Sequence, residues 1–599
     1  MKTKRYIFST IAFAVCFMFS AQAQIVRNDS LLNREMTLEK EYNPTIKDAV
    51  KLNQLPELRE PQATKSKVEF SNYAVPYEVK NGLVYLKPQT YLSNINYSKY
   101  RGYLTAGLGT LMNIDADLGY QLLNSGTDHL SVFASHRSGN NDVTNLQIEE
   151  KQKFKLNDTW GGIDFLHNFG TVKFGLDAKY TYASFNYSGL SSDSYVGPHT
   201  PGQAPYSINT FPNQANNMLE IHTSISSEAA NKMNYKINAV YTRFDQKYYE
   251  TTRDTGRQES RILIDWDFHK NFNSTMGSGF AGFFKNYAYA SLLDWLKEGD
   301  NLAIYGNSNY SILSLNPYFY LEGDNLDLTL GGKIDVEFGG RDKVVGAINL
   351  LFNYYPSDYF LFYVKTDGGR KDNSNYASFY ENRYISPYYR VWDSRTPLDG
   401  TVGLKFLPVS TLSLDVFGGY KITMDEHFYF HASNYPETDG ITGTVLYPEY
   451  QNANTFKVGA DIKYALSDLF EVDLKGVYYQ WEIKEKQSTT NSRVFGAWHK
   501  PRFVADLNTA YRVPLFPLRF DLSYHAEYGR KSPDYLASAD GEIVKMKDIH
   551  DLSLKATYPI TDFFSAYLYT NNLLFQKYDI WYGYPAQNFN IMGGISFLF

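Results

Sequence analysis

Asn588-Phe589-Asn590-Ile591-Met592-Gly593-Gly594-Ile595-Ser596-Phe597-Leu598-Phe599 is the stretch on which the fold turns. Phe589, Ile591, Ile595, Phe597 and Phe599 fall on one side of an extended chain, with Gly593 in the gap. Asn588, Asn590, Gly594 and Ser596 fall on the other, Met592 and Leu598 being exceptions. Side chains of a strand alternate between faces, so this strand is greasy on one side, polar on the other, and has nothing after it. It needs a neighbour on each edge and cover on its apolar face. A closed barrel in an outer membrane supplies both, with lipid against one face, a wet lumen against the other and no free edge. The expected fold is all-β, a transmembrane antiparallel β-barrel.

The same alternation recurs upstream. Leu326, Leu328, Leu330, Ile334, Val336 and Phe338 oppose Asp327, Thr329, Lys333, Asp335 and Glu337. Leu518, Phe520, Leu522, Tyr524, Ala526 and Tyr528 oppose Arg519, Asp521, Ser523, His525 and Glu527. Polar faces this rich in charge, sustained over ten residues or more, point to a solvated lumen rather than to a soluble sandwich. Around Gly476 the apolar set changes parity, from Phe470, Val472 and Leu474 to Val477, Tyr479 and Trp481. That change predicts a bulge.

The connections alternate between short turns, such as Phe169-Gly170 and Pro356-Ser357-Asp358, and long polar loops, such as 188–214, 371–396 and 432–449. Short periplasmic turns and long external loops are the asymmetry of outer-membrane barrels. Counting from Tyr103 to Phe599 predicts about 22 strands, with both ends periplasmic.

Residues 1–23 read as a secretory signal. Lys2, Lys4 and Arg5 precede the apolar run 6–19, and Ala21-Gln22-Ala23 has the form of a cleavage site. Cys16, the only cysteine, lies within this segment. The composition fits alternating strands: 17% of residues are aromatic, 52 of them tyrosine, yet the mean hydropathy is negative. After the signal, no apolar run approaches the roughly 20 residues of a membrane helix. The formal charge of -6 falls to about -9 once the three signal charges are removed (-6 - 3), which argues against nucleic acid as a partner.

The tail also resembles a known family. Asn571-Asn572-Leu573-Leu574-Phe575-Gln576-Lys577-Tyr578, then Trp581-Tyr582-Gly583-Tyr584-Pro585, then Gly593-Gly594-Ile595-Ser596-Phe597-Leu598-Phe599 is similar to the C-terminal end of TonB-dependent receptors. The resemblance implies a 22-strand barrel, and Phe597 and Phe599 as the assembly signal read by outer-membrane assembly machinery. The family's N-terminal plug has no counterpart of its length here. Residues 24–98 read instead as an extended periplasmic or lumen-occluding segment, punctuated by Pro44, Pro56, Pro61, Pro76 and Pro88. Glu41-Tyr42-Asn43-Pro44-Thr45-Ile46-Lys47-Asp48-Ala49 resembles a motif of plugless, receptor-like barrels of Bacteroidetes. The barrel itself is expected over 99–599.

Asp327, Lys333, Asp335, Glu337, Arg519, Asp521, His525 and Glu527 are the candidate lumen-lining residues. As a set they describe a polar path; singly, each is what any wet barrel interior needs. Trp392, Tyr435, Trp581 and Tyr584 are candidate external-loop contacts, against the alternative of an aromatic girdle at headgroup level. His427 and His431 lie about 13 Å apart on a strand and do not share a metal ion. No catalytic motif stands in context, and neither an enzyme nor a cofactor is expected. Two functional classes remain: a receptor or transport barrel for a solute, and a scaffold barrel whose N-terminal segment docks a periplasmic or lipoprotein partner. TonB engagement is left open by the resemblance.

Overall fold

The computed structural model describes residues 100–599 except 148, 150, 189–213, 228–232, 248–255, 291–308, 341–342, 386–390, 432–445, 467–468, 485–495 and 535–541. The signal, the 24–98 segment and Tyr435 lie outside the described residues. The wall begins with β1 (Gly102–Gly109), β2 (Ile114–Asn124), β3 (Asp128–Thr144), β4 (Lys151–Asn168), β5 (Val172–Phe185), β6 (Gln214–Ser227) and β7 (Asn234–Gln246). It continues with β8 (Gln258–Asn271), β9 (Met276–Tyr289), β10 (Tyr310–Glu322), β11 (Leu326–Phe338), β12 (Val344–Ser357), β13 (Phe360–Thr366) and β14 (Ser394–Val409). The last third is β15 (Leu412–His431), β16 (Leu446–Leu466), β17 (Phe470–Lys484), β18 (Phe503–Arg512), β19 (Arg519–Tyr528), β20 (Ile549–Pro559), β21 (Phe564–Asn571) and β22 (Asn590–Leu598). Each strand pairs antiparallel with the next, and β22 returns to β1 through Tyr103↔Leu598 to Gly109↔Met592, so the 22 strands close into a barrel.

The turns at the end that holds Phe599 run from two residues (358–359) to six (513–518), whereas connections at the opposite end reach 28 (186–213). The first set is periplasmic and the second external, as the sequence predicts for a chain spanning the Gram-negative outer membrane. Leu330, Ile334, Phe338, Ile348, Val416 and Leu568 are exposed on the outer wall. An apolar surface of that extent is stable only against lipid.

The seam closes by a tight fit. Tyr567 of β21 lies flat across Gly594 of β22, where a β-carbon would stand 2.2 Å from its ring. Its hydroxyl reaches over Gly107 of β1, where a β-carbon would stand 2.4 Å away. One ring thus straddles the joint between the last strand and the first.

The bulge predicted at Gly476 is absent. The pairing of β17 with β16 and β18 runs through without a shift. Val477 and Trp481 keep the parity of the lumen face; Val477 is buried there, and Trp481 packs against the apolar core of the outer bore. The change of pattern records a change of surroundings, not of register. A shift does occur in β15, between Thr423 and Glu426, where Asp425 adopts φ 56°. Its carboxylate pairs with Arg395 at 2.6 Å and its backbone N–H donates to Asn452 at 3.1 Å. These contacts hold a backbone conformation that a non-glycine residue rarely adopts.

Candidate functional site

The outer bore is crossed by the connection between β13 and β14. It leaves β13 through Gly369, whose φ of 124° suits only glycine, and residues 369–371 pair with the start of β14. Asp372 then accepts from the Ser374 backbone N–H at 2.9 Å and pairs with Arg261 of β8. Ser374 caps the helix α1 (Asn375–Glu381), its hydroxyl accepting from the Ala377 N–H at 3.3 Å. The Asn375 N–H donates to Glu259 of β8 at 2.7 Å. The N-terminal end of α1 is therefore satisfied both locally, by Ser374, and by Glu259 from far away in sequence, while the Asn382 N–H closes the other end on the Ser378 carbonyl at 2.8 Å.

Past α1, Arg383 forms a two-pronged bond with Asp158 of β4, at 3.1 and 2.9 Å. Its guanidinium also lies over the Phe185 and Phe379 rings. In a ring of 22, β4 stands nine places from β13 (13 - 4), so this pair joins nearly opposite walls. Tyr384 stacks on Tyr584 of the last external loop at 4.1 Å, and Ile385 bridges to Leu446 of β16. The segment regains the wall at Asp393, which accepts from the Tyr310 hydroxyl at 3.1 Å. Phe379, Tyr384 and Ile385 share one buried cluster with Phe185, Phe244, Phe428 and Trp581. The outer bore is filled like a protein core rather than a water-filled channel.

Glu381, at the end of α1, lies 2.5 Å from His427 of β15 and 3.1 Å from the Lys500 ammonium. Burial pushes its carboxyl upward, but the charges of His427 and Lys500 outweigh this and hold it well below the usual carboxylate range. Near the root of the segment the balance is reversed at Asp393, where burial and then the charge of Asp372 push the carboxyl up. A depressed carboxyl stabilises the folded arrangement above its unfolded value of about 4.3, and that contribution is lost as the pH falls. Proteolysis of the crossing segment is therefore expected to accelerate below about pH 4, and Glu381→Gln should remove this acid-side rise.

The residues singled out in the sequence fall into three groups. Lys333 donates to the Gly368 carbonyl at 2.7 Å, Glu337 pairs with Arg370, and Asp335 is wholly buried beside Gly369. These three surround the root of the crossing segment. Asp327 accepts from Tyr355 at 3.0 Å, and Arg519 pairs along its own strand with Asp521 at 2.7 Å; neither contacts the segment. His525 is clasped between Asp506 at 2.6 Å and Glu527 at 3.4 Å, and Glu527 in turn faces Arg530 at 3.2 Å.

The external-loop candidates are placed differently from the sequence expectation. Trp581 and Tyr584 are buried, Trp581 edge-on to Tyr429 and His499, and Tyr584 under Tyr384. Their rings are engaged within the chain because the last loop folds over the bore. Trp392 is half-buried against Tyr450 at 4.1 Å. Sequence reading missed Asp158, Glu259, Arg261, Asp372, Glu381 and Arg383. Nothing local marks them, since Arg383 and its partner are 225 positions apart.

No family model matches the chain, and no curated protein matches it. Solved structures do. The FrpB iron transporter from Neisseria meningitidis superposes with a TM-score of 0.61 at 9% identity, over 84% of this chain and 81% of that one. The siderophore receptor PirA from Acinetobacter baumannii gives 0.60 at 11%, over 84% and 80%. The pyoverdine receptor FpvA from Pseudomonas aeruginosa gives 0.57 at 14%, over 84% and 78%. Identities this low show the fold alone: a closed ring of 22 antiparallel strands that this chain shares with these receptors and transporters.

Proposed function

We propose that the chain is a receptor that admits an external solute through its bore, with 367–393 as the outer gate. The observation that carries this reading is the Arg383–Asp158 pair, which ties a loop from one wall to the far wall. Such a bridge closes the bore from outside, as a barrel that admits a solute only on demand requires. The structural neighbours named as iron transporter, siderophore receptor and pyoverdine receptor supply the class of activity, uptake of a small solute. Lys333, Asp335 and Glu337 at the gate's root, with Asp327, Arg519, Asp521, His525 and Glu527 elsewhere on the wall, are the residues assigned to the solute's path. The 24–98 segment is assigned to the periplasmic side, as occluder or as contact for TonB or a lipoprotein.

Planar-bilayer conductance tests this reading. The full chain and a chain without 24–91 are each compared with versions carrying a short Gly-Ser linker in place of 373–391. A rise in conductance on linker replacement, largest when both segments are removed, is expected. Folded linker variants as silent as their parents would sink the gate.

A further inference from the structure

A row of side chains crosses the lumen wall under the root of the gate. Thr242 of β7 lies beside Arg261 of β8, Arg261 beside Tyr287 of β9, and Tyr287 beside Tyr310 of β10. Cross-strand neighbours on one face stand about 5 Å apart. Lys285 shares the face of Tyr287, two positions earlier on β9, and its ammonium lies 5.8 Å from the Tyr287 ring centre. The gate places Asp372 against this row, paired with Arg261. Burial pushes the Asp372 carboxyl upward, but the charges of Lys285 and then of Arg261 outweigh this and hold it below its ordinary range.

Asp372 leaves part of this donor set unused. Arg261 Nη2 donates to the Thr242 hydroxyl at 3.1 Å and Nη1 donates to Asp372, but Nε has no hydrogen-bond partner among the described residues. The wholly buried Tyr287 hydroxyl has none either. Lys285 makes no direct ion pair among the described residues and lies over the Phe283 and Tyr287 rings. Buried donors are ordinarily satisfied, so a latch built only to hold Asp372 would carry fewer of them. The nearby carboxylates do not cancel the row once the gate moves. Asp372 and Asp393 both belong to the gate and leave with it. Glu220 of β6 is matched by Lys179 of β5 at 3.5 Å. Glu259 stays on the wall, one carboxylate against the two cations Arg261 and Lys285.

We infer that this row is a subsite for a phosphate monoester group of the solute, and that Asp372 is its stand-in while the gate is shut. The inference rests on the reading of 367–393 as the outer gate. One oxygen of Asp372 faces Arg261 and the other accepts from the Ser374 N–H at 2.9 Å, so the carboxylate meets only one edge of the row. A phosphate monoester brings three terminal oxygens. Two match the Nε–Nη1 edge of the Arg261 fork, and the third is left for the Lys285 ammonium and the Tyr287 hydroxyl. Solute and Asp372 compete for one place, so solute binding and gate release favour each other by the same factor.

The test uses the full-length protein in phosphatidylcholine nanodiscs, with methyl phosphate as the probe and calorimetry as the readout. Heat-modifiable migration on gels confirms folding of every variant. Asp372→Asn vacates the place without opening the fork, and is expected to bind the probe roughly tenfold or more tighter than the wild type. Adding Lys285→Gln, or Arg261→Gln where that variant folds, is expected to abolish the gain. In the wild type, saturating probe is expected to speed chymotrypsin cleavage of the gate roughly threefold or more over sodium chloride of equal ionic strength. Equal affinity of wild type and Asp372→Asn for methyl phosphate would overturn the inference. So would acetate binding to Asp372→Asn as tightly as methyl phosphate, which would make the row a carboxylate site. The gate is read separately, from cleavage of Arg383→Glu without probe. Rapid cleavage there with no probe binding to Asp372→Asn sinks the subsite and leaves the gate standing, whereas slow cleavage there sinks the gate and the subsite with it.

Discussion

In the Arg383→Glu protein, segment 367–393 is expected to leave the bore and become cleavable from outside. Arg383 and Asp158 are largely buried, with side-chain exposures of 8% and 19%, and their bond is bidentate. Removing one partner of a buried pair costs roughly 3–5 kcal/mol, because the remaining charge is stranded away from water. The reversed charge adds repulsion and removes the guanidinium that lies over Phe185 and Phe379. At 1.4 kcal/mol per decade, the released population should grow roughly 100- to 4,000-fold. A chymotrypsin-type protease acting on Tyr376, Phe379, Tyr380 and Tyr384 reads this release directly. Arg383→Lys should give an intermediate rate, since an ammonium cannot reproduce the fork. Adding Asp158→Arg to Arg383→Glu should restore protection. A cleavage rate for Arg383→Glu close to that of the wild type would show that the pair does not hold the segment.

A chain that ends at Leu598 is expected to close its barrel poorly. The Arg101 and Gly102 backbone N–H groups both donate to the Phe599 carbonyl, at 2.7 and 2.8 Å, and the Phe599 N–H donates to Gly102 at 3.0 Å. The Phe599 ring stacks on Tyr120 of β2 at 5.8 Å, so one residue spans β22, β1 and β2. Three hydrogen bonds at about 1 kcal/mol each, with the lost ring contact, come to roughly 3–5 kcal/mol. That is a large fraction of a stability of about 5–15 kcal/mol. The heat-modifiable folded band should fall to a small part of the wild-type yield. Gly102→Val separates backbone from side chain: it keeps the carbonyl bonds but places a β-carbon 2.6 Å from the Phe599 ring. An intermediate yield is expected. If the truncated chain folds as well as the full one, Phe599 contributes nothing to closure.

The wall of this molecule is legible in its sequence because alternation is a local property of extended backbone. Leu330, Ile334 and Phe338 had to face one medium and Lys333, Asp335 and Glu337 another, whatever the neighbouring strands were. The same logic misled at Gly476, where an apolar lumen face imitates a bulge, and it passed over the real bulge at Asp425, where the polar run Asp425-Glu426-His427 interrupts the alternation. Trp581 and Tyr584 illustrate a second limit. Their loop is short on charge and rich in rings, which suits a binding surface and a buried core equally well.

The sequence by itself determined the class of fold, the number of strands and which ends of the strands carry the short turns, since each follows from periodicity and turn chemistry within a few residues. Only the tertiary structure decided what occupies the bore. Closing 22 strands into a ring sets β4 nearly opposite β13, and the loop that crosses between them brings Arg383 to Asp158 on the far wall and Glu381 to His427 on the near one. Pairs of this kind depend on the circumference of the barrel, a quantity that no stretch of the chain encodes on its own.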